Sequence, residues 1–207
     1  MQQRNLNKAF LLLMLAFGVF LAGSYALLYT LEPKSTHPSA QSVSMTAPPG
    51  GDFTLQSDEG SVSLSDFNGQ VVLAYFGYTF CPDICPTNLG ELSLAYRQLT
   101  PEQQQQVQIL FISVDPERDT PTRLRQYVDY FAADMLGLTA DASTIAEVAQ
   151  RYGAVYLKID DGSENYAVDH SAFTYVIDRN GQLQTQLPHA AGTEFYYQTL
   201  LQYLERI

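Results

Sequence analysis

Two cysteines that lie four positions apart, Cys81 and Cys85, are the residues best suited to chemistry, and the 207-residue chain has no others. Thiols this close can form a disulfide, exchange that disulfide with a partner, or bind one soft metal ion together. A purely structural disulfide is the weakest interpretation, because closing so short a loop contributes little stability. Thioredoxin-type oxidoreductases use Cys-x-x-Cys. The wider spacing here lets both sulfurs face one ion, although it still permits a disulfide.

The elements around the two cysteines favour a reactive or metal-binding role. The apolar run 70–78 predicts a buried strand, and Pro86 opens a predicted helix. Ligand sites in α/β sheets lie at such carboxyl ends of strands. The positive end of a helix dipole stabilises thiolates, and Pro82 and Pro86 restrict the backbone of the loop.

His170 is the candidate third ligand. It lies between Asp169 and Ser171, just before a predicted strand at residues 173–178. A thioredoxin-like arrangement would bring this loop beside the cysteines, where a Cys₂His set suits copper and also accommodates Zn²⁺. The alternative is a histidine that only hydrogen-bonds a neighbouring loop. Asp169 either orients the imidazole or serves as a turn residue.

The remaining histidines have no partner motif. His37 is predicted to be solvated in a linker, and His189, which follows Pro188, to be structural or exposed.

The elements that must position these side chains alternate along the chain. Strands are predicted from apolar β-rich runs or hydrophobic alternation, at residues 53–55, 61–64, 70–78, 107–114, 154–159, 173–178 and 183–186. Helices follow from helical spacing and start signals, from Pro86 onward and at residues 120–133, 143–152 and 193–206. This order predicts an α/β fold, a thioredoxin-like mixed sheet flanked by helices.

The N-terminal region is predicted to anchor the domain. Residues 9–31 carry no charge and are long enough to cross a bilayer, and Arg4 and Lys8 precede them. A cleaved signal peptide is the alternative, although its apolar region should be shorter. The predicted organisation is a cytoplasmic stub and transmembrane anchor at 1–31, a flexible linker at 32–51, and a folded domain at 52–207.

Charge limits the partners of this domain. The formal net charge of −11 argues against a nucleic-acid partner, which needs a basic surface. It also disfavours adhesion to an anionic membrane surface.

The segment YFGYTFCPDICP at residues 75–86 resembles the signature of the Sco/SenC copper chaperones of cytochrome c oxidase. Three further pieces fit in the same order, namely SVDPERDTP at 113–121, Tyr152-Gly153, and Asp169-His170-Ser171 before YVID at 175–178. The resemblance extends over roughly residues 52–207. It implies a thioredoxin-like domain in which Cys81, Cys85 and His170 hold one copper ion.

The resemblance also implies a task and a location. The expected partner is cytochrome c oxidase subunit II, whose CuA centre receives copper, or another copper acceptor, with an upstream copper donor. The expected location is the bacterial inner membrane, with the domain in the periplasm. The alternative is a thiol-disulfide reductase acting on the CuA cysteines or in redox defence. Peroxide reduction is less favoured, because the residues before Cys81 lack the Pro-x-x-x-Thr-x-x-Cys pattern.

The acidic stretch 115–119 is predicted not to bind metal. We expect a loop of solvated charges in which Asp119 or Thr120 caps the next helix.

Overall fold

The computed structural model describes residues 48–159, 162–163 and 165–205. The predicted anchor, His37 and most of the predicted linker lie outside these residues. None of the helices in the described residues is long and apolar enough to cross a membrane.

The described residues form nine strands and five α-helices, with a short 3₁₀ helix at Leu64–Phe67. The strands are β1 Thr54–Ser57, β2 Gly60–Ser63, β3 Val71–Gly77, β4 Val107–Ser113, β5 Met135–Leu138, β6 Tyr156–Ile159, β7 Ala167–His170, β8 Thr174–Ile177 and β9 Leu183–Leu187. The helices are α1 Ile84–Tyr96, α2 Pro101–Gln104, α3 Pro121–Val128, α4 Ala142–Tyr152 and α5 Thr193–Leu204.

A five-stranded mixed sheet in the order β5-β4-β3-β8-β9 forms the centre of the domain. Strand β3 pairs in parallel with β4 and antiparallel with β8, and β4 pairs in parallel with β5. Every residue of β3 and β4 is buried, as expected for strands covered on both faces. The predicted mixed sheet with helices is confirmed.

Successive residues of β3 point to opposite faces of the sheet and meet different helices. The ring of Phe76 packs against Tyr152 of α4, with centroids 6.0 Å apart. The ring of Tyr75 lies on the other face, 6.1 Å from the imidazole of His170. The candidate site therefore lies on the Tyr75 face, where α1 begins.

Two small antiparallel sheets lie outside the central one, β1-β2 and β6-β7. The second carries His170, which the sequence analysis placed in a loop. That placement was wrong, because residues 167–170 pair with β6 and His170 lies opposite Tyr156. Strand β6 was predicted from the sequence, but its partner β7 was not.

Several helix boundaries also differ from the prediction. Helix α1 begins at Ile84, so Pro86 is its third residue, a position whose N–H has no partner within the helix in any case. Helix α3 ends at Val128, five residues before the predicted end at 133.

Strand β5 was not predicted at all. It is an edge strand of four residues whose pairing with β4 defines it. Gly137 in this strand is required for packing, because a Cβ there would lie 2.6 Å from the Cβ of Leu124 in α3.

Candidate metal centre

The two cysteines lie where β3 passes into α1. Cys81 lies in the connecting loop with 7% of its surface exposed, and Cys85 is the second residue of α1 with none exposed. The backbone N–H of Cys85 donates to the Sγ atom of Cys81 at 3.4 Å. This contact uses one of the N–H groups that a first helical turn leaves unpaired. Both cysteines are free thiols.

His170 completes the cluster from the end of β7. Its Nε2 atom lies 3.3 Å from the Sγ atom of Cys85. One potential ligand atom from each of Cys81, Cys85 and His170 lies within 4.8 Å of the others. The structure thus brings together all three side chains that the sequence analysis selected, and no other such group occurs among the described residues.

The hydrogen bond at the far side of the imidazole orients the ring. The Nδ1 atom of His170 lies 3.2 Å from the carbonyl oxygen of Ser171. A carbonyl oxygen can only accept, so Nδ1 donates this hydrogen bond, and Nε2 is the ring atom that faces the sulfurs. Asp169 is exposed and pairs with Leu157 in the small sheet, so it is neither the orienting partner nor a turn residue.

The two thiols have opposite acidities. The pKa of Cys81 is lowered to about 4, mainly by a hydrogen bond from Cys85. Burial is the second-largest cause and raises the pKa, while hydrogen bonds from His170 and from backbone N–H groups lower it further. Burial and the neighbouring sulfur of Cys81 raise the pKa of Cys85. The two sulfurs therefore titrate as a coupled pair that holds one proton at neutral pH, and the negative charge is favoured at Cys81.

Gly77, the last residue of β3, makes room for the sulfur of Cys85. A Cβ atom at this position would lie 2.6 Å from Cys85 Sγ and 2.8 Å from the ring of Phe111. The fit of the pocket around Cys85 therefore depends on the absence of a side chain at residue 77.

A cleft of about 300 Å³ opens beside the cluster. One wall comes from the cysteine loop and the other from β7, and the lining residues are Tyr78, Cys81, Pro82, Asp83, Ile84, Ala167, Val168, Asp169 and His170. Cys85 does not line it. Within the described part of the chain, the cluster is therefore open on the side of Cys81 and His170.

The cysteine loop is tied to β4 by Asp119, whose side chain has no exposed surface. Its carboxylate accepts from the backbone N–H and the hydroxyl of Thr79 at 2.9 and 2.6 Å, and from the hydroxyl of Ser113 at 2.7 Å. The prediction of solvated charges at 115–119 was wrong for Asp115 and Asp119, which are buried. Thr120 does cap α3, accepting from the N–H of Arg123.

Gly77, Thr79 and Asp119 were not predicted from the sequence to contribute to the site. Gly77 had a detectable signal, because a glycine that ends a buried strand before a cysteine loop suggests close approach. The role of Asp119 had no such signal, since acidic residues are usually exposed. His189 is partly buried, and its Nδ1 atom has no hydrogen-bond partner in the described part of the chain.

The mixed sheet and the paired thiols beside an imidazole define a thioredoxin-like domain with a candidate Cys₂His metal site. A family model described as SCO1/SenC matches residues 41–205. Since this match covers most of the sequence, the chain belongs to the SCO1/SenC family.

Individual relatives agree with this assignment. The chain is 37% identical over 188 residues to a SCO2-like protein of Rickettsia conorii, covering 87% of this chain and 88% of that protein. Among solved structures, copper-bound ScoI of Bradyrhizobium japonicum is 35% identical with a TM-score of 0.69, covering 75% of this chain and 99% of that one. Apo Sco1 of Thermus thermophilus is 39% identical with a TM-score of 0.69, covering 76% and 93%.

Proposed function

We propose that this protein is a copper metallochaperone that holds copper through Cys81, Cys85 and His170 and delivers it for assembly of the CuA centre of cytochrome c oxidase. The observation that carries the proposal is the convergence of the three ligand atoms within 4.8 Å of one another. Two sulfurs and one imidazole nitrogen suit Cu(I), and the imidazole also accommodates Cu(II). Relatives with 35% and 29% identity have been solved with copper bound, from Bradyrhizobium japonicum and from yeast.

The residues of this chain fit a copper cargo in three respects. The lowered pKa of Cys81 favours its thiolate without a metal, the Nε2 atom of His170 faces the sulfurs, and the space at Gly77 accommodates Cys85. Copper binding displaces the remaining proton from Cys85. Delivery is then a ligand exchange, in which cysteine and histidine side chains of the acceptor replace those of this protein.

The proposed acceptor is subunit II of the oxidase, which houses the CuA centre, and the proposed location is the periplasmic side of a bacterial inner membrane. The support for this location is the uncharged segment 9–31 with Arg4 and Lys8 before it. Fractionation of cells that produce the full chain, with and without alkaline extraction, tests the anchor. Release of the protein by osmotic shock alone would contradict it.

The copper site is tested by titrating Cu(I) and Cu(II) into reduced wild-type protein and into the variants Cys81→Ser and His170→Ala. Loss of an outer-shell partner typically lowers metal affinity by roughly 10- to 100-fold. Removing a direct ligand should lower the copper affinity by at least as much. Cu(II)-loaded wild type should also show thiolate-to-copper charge transfer, which Cys81→Ser weakens. Equal affinities for wild type and His170→Ala would remove His170 from the ligand set. Competition with Zn²⁺ tests the choice of metal.

A second function, thiol-disulfide reduction, is favoured by the unequal acidities of the two cysteines. The Cys81 thiolate would attack an acceptor disulfide and form a mixed disulfide. The sulfur of Cys85 would lose its proton and attack Cys81, releasing the acceptor as a dithiol and leaving Cys81–Cys85 oxidised. Reduction of an oxidised CuA-domain fragment by stoichiometric protein measures this activity. It should survive His170→Ala, whereas copper delivery should not.

A further inference from the structure

A ladder of alternating cationic and aromatic side chains connects the cysteine loop to the hairpin that carries His170. Its centre is Arg118, in the loop after β4. The guanidinium carbon of Arg118 lies 3.5 Å from the ring centroid of Tyr166 and 4.4 Å from that of Phe80. Its side chain is only 12% exposed, so these cation–π contacts are largely shielded from water.

The ladder extends in both directions from Arg118. The guanidinium carbon of Arg123 in α3 lies 4.0 Å from the centroid of Phe80. The ammonium of Lys158 in β6 lies 4.0 Å from the centroid of Tyr166. Its five members are, in order, Arg123, Phe80, Arg118, Tyr166 and Lys158.

Asp115 fixes the centre of the ladder. Its carboxylate, 3% exposed, accepts from Arg118 Nε at 2.5 Å and from the hydroxyl of Tyr166 at 2.6 Å. One buried carboxylate therefore holds both the cation and one of the rings on which it stacks. If Arg118 moved away, a buried charge would lose its ion pair, which is costly.

The two rings nearest Arg118 belong to the two segments that supply the candidate ligands, and a third ring, that of Tyr78 in the cysteine loop, has its centroid 5.8 Å away. Phe80 is adjacent to Cys81, and Tyr166 directly precedes β7, which ends at His170. The small sheet does not pair with the central sheet, so its distance from the cysteines is set by the three-residue link from β7 to β8 and by side-chain contacts such as these. A second such contact is the 3.3 Å hydrogen bond from the N–H of Val168 to the hydroxyl of Tyr78.

We propose that Arg118 is a positioning residue that holds the β6–β7 hairpin, and with it His170, against the cysteine loop. The consequence of this positioning for copper binding rests on the function proposed above, whereas the effect of Arg118 on the hairpin does not. Arg118 acts through the rings of Phe80 and Tyr166, and at a longer distance through the ring of Tyr78. The proposal therefore predicts an effect on the histidine side of the site and little effect on the cysteine side.

The first test uses metal-free, reduced protein and amide hydrogen exchange. Arg118→Lys keeps a positive charge for Asp115 but removes the planar group that stacks between the rings, and Arg118→Ala removes both. We expect faster exchange in β7 for both variants, with the exchange in β3 and β4 unchanged. Arg125→Ala is the matched control, since Arg125 is an arginine on α3 that pairs with Asp129 at the surface. Unchanged exchange in β7, or equal acceleration in β3 and β4, would overturn the proposal.

The second test is a double-mutant cycle on copper affinity. Arg118→Lys in the otherwise wild-type protein should weaken Cu(II) binding by roughly 10-fold, at the lower end of outer-shell effects. The same substitution in the His170→Ala background should have less than about a 2-fold effect, because the ligand that it positions is already absent. Equal losses in both backgrounds would show that Arg118 acts through the cysteines or the whole fold.

The two proposals fail in different ways. If wild-type protein binds no copper, the proposed function is wrong, and hydrogen exchange alone decides the role of Arg118. If wild type binds copper and the cycle shows no coupling, the positioning role is wrong while the metallochaperone function stands.

Discussion

The Nε2 atom of His170 and the Sγ atom of Cys85 lie 3.3 Å apart although 85 positions of sequence separate them. Cys85 is held by the first turn of α1, and His170 by a two-stranded sheet outside the central one. The contact therefore depends on how closely two separately built parts of the domain approach each other. Substitutions where these two parts meet should therefore change the geometry of the site more than the stability of the fold.

Gly77→Ala should disturb the site at the sulfur of Cys85. The added Cβ would lie 2.6 Å from Cys85 Sγ, so the sulfur or the strand must move. We expect the metal-free protein to lose about 1–3 kcal/mol of unfolding free energy, as for other overpacked cores, and copper affinity to fall. Urea unfolding and copper titration measure the two effects.

The control for this substitution is Gly90→Ala. Gly90 lies in α1, and nothing lies within 4 Å of the position that its Cβ would occupy. Alanine is the better helix former by about 1 kcal/mol, so this variant should be as stable as wild type or more so. A Gly77→Ala protein that matches the control in both assays would disprove the steric role of Gly77.

Cys81 should react as a thiolate well below neutral pH. With its pKa lowered to about 4, its alkylation by iodoacetamide should vary little between about pH 6 and 8 and fall only as the pH approaches the pKa. Peptide mapping by mass spectrometry assigns the modification to Cys81. An ordinary thiol such as glutathione, in the same buffers, should instead gain reactivity steadily over this range.

Cys85→Ala should move this profile to higher pH. The hydrogen bond from Cys85 is the largest cause of the lowered pKa, so its removal should return the inflection part of the way to the ordinary value of 9.0. The pKa of Cys81 rises because the variant stabilises the thiolate less, so the thiol form persists to higher pH. An unchanged profile would mean that the helix terminus and His170, rather than Cys85, lower the pKa.

Asp119→Asn should loosen the cysteine loop from β4. The amide nitrogen would replace one carboxylate oxygen that accepts from Thr79 or Ser113, so at least one buried donor loses its acceptor. We expect a loss of about 1–3 kcal/mol in unfolding free energy. Asp129→Asn removes an exposed ion pair with Arg125 and should cost less than about 1 kcal/mol. Equal costs for the two variants would contradict a special role for Asp119.

The central strands β3 and β4 and the chemically important side chains could be predicted because both carry local signals in the sequence. Long apolar β-rich runs define the strands, and a pair of cysteines before a helix is visible without any structure. The edge strand β5 and strand β7 carry no such signal. Each has four residues, and each exists because a neighbouring strand pairs with it.

The burial of Asp115 and Asp119 was unpredictable for a related reason. Acidic residues in a loop are usually solvated, and only the folded chain shows that Arg118, Tyr166, Thr79 and Ser113 supply their partners. Two of these partners, Tyr166 and Thr79, are 51 and 40 positions away in the sequence. Segment 113–121 was recognised as part of a family signature, but its physical purpose becomes clear only from these contacts.

The unequal burial of the two sulfurs predicts the order in which the bonds to a bound ion would break. Cys81 and His170 line the cleft, whereas Cys85 has no exposed surface and does not line it. In the proposed transfer, an incoming donor atom would displace the outer two ligands first, and the bond to Cys85 would be the last to break. Loading by the reverse of this sequence would make Cys85 the first bond to form, so the inner sulfur would be the ligand that stays with the ion longest.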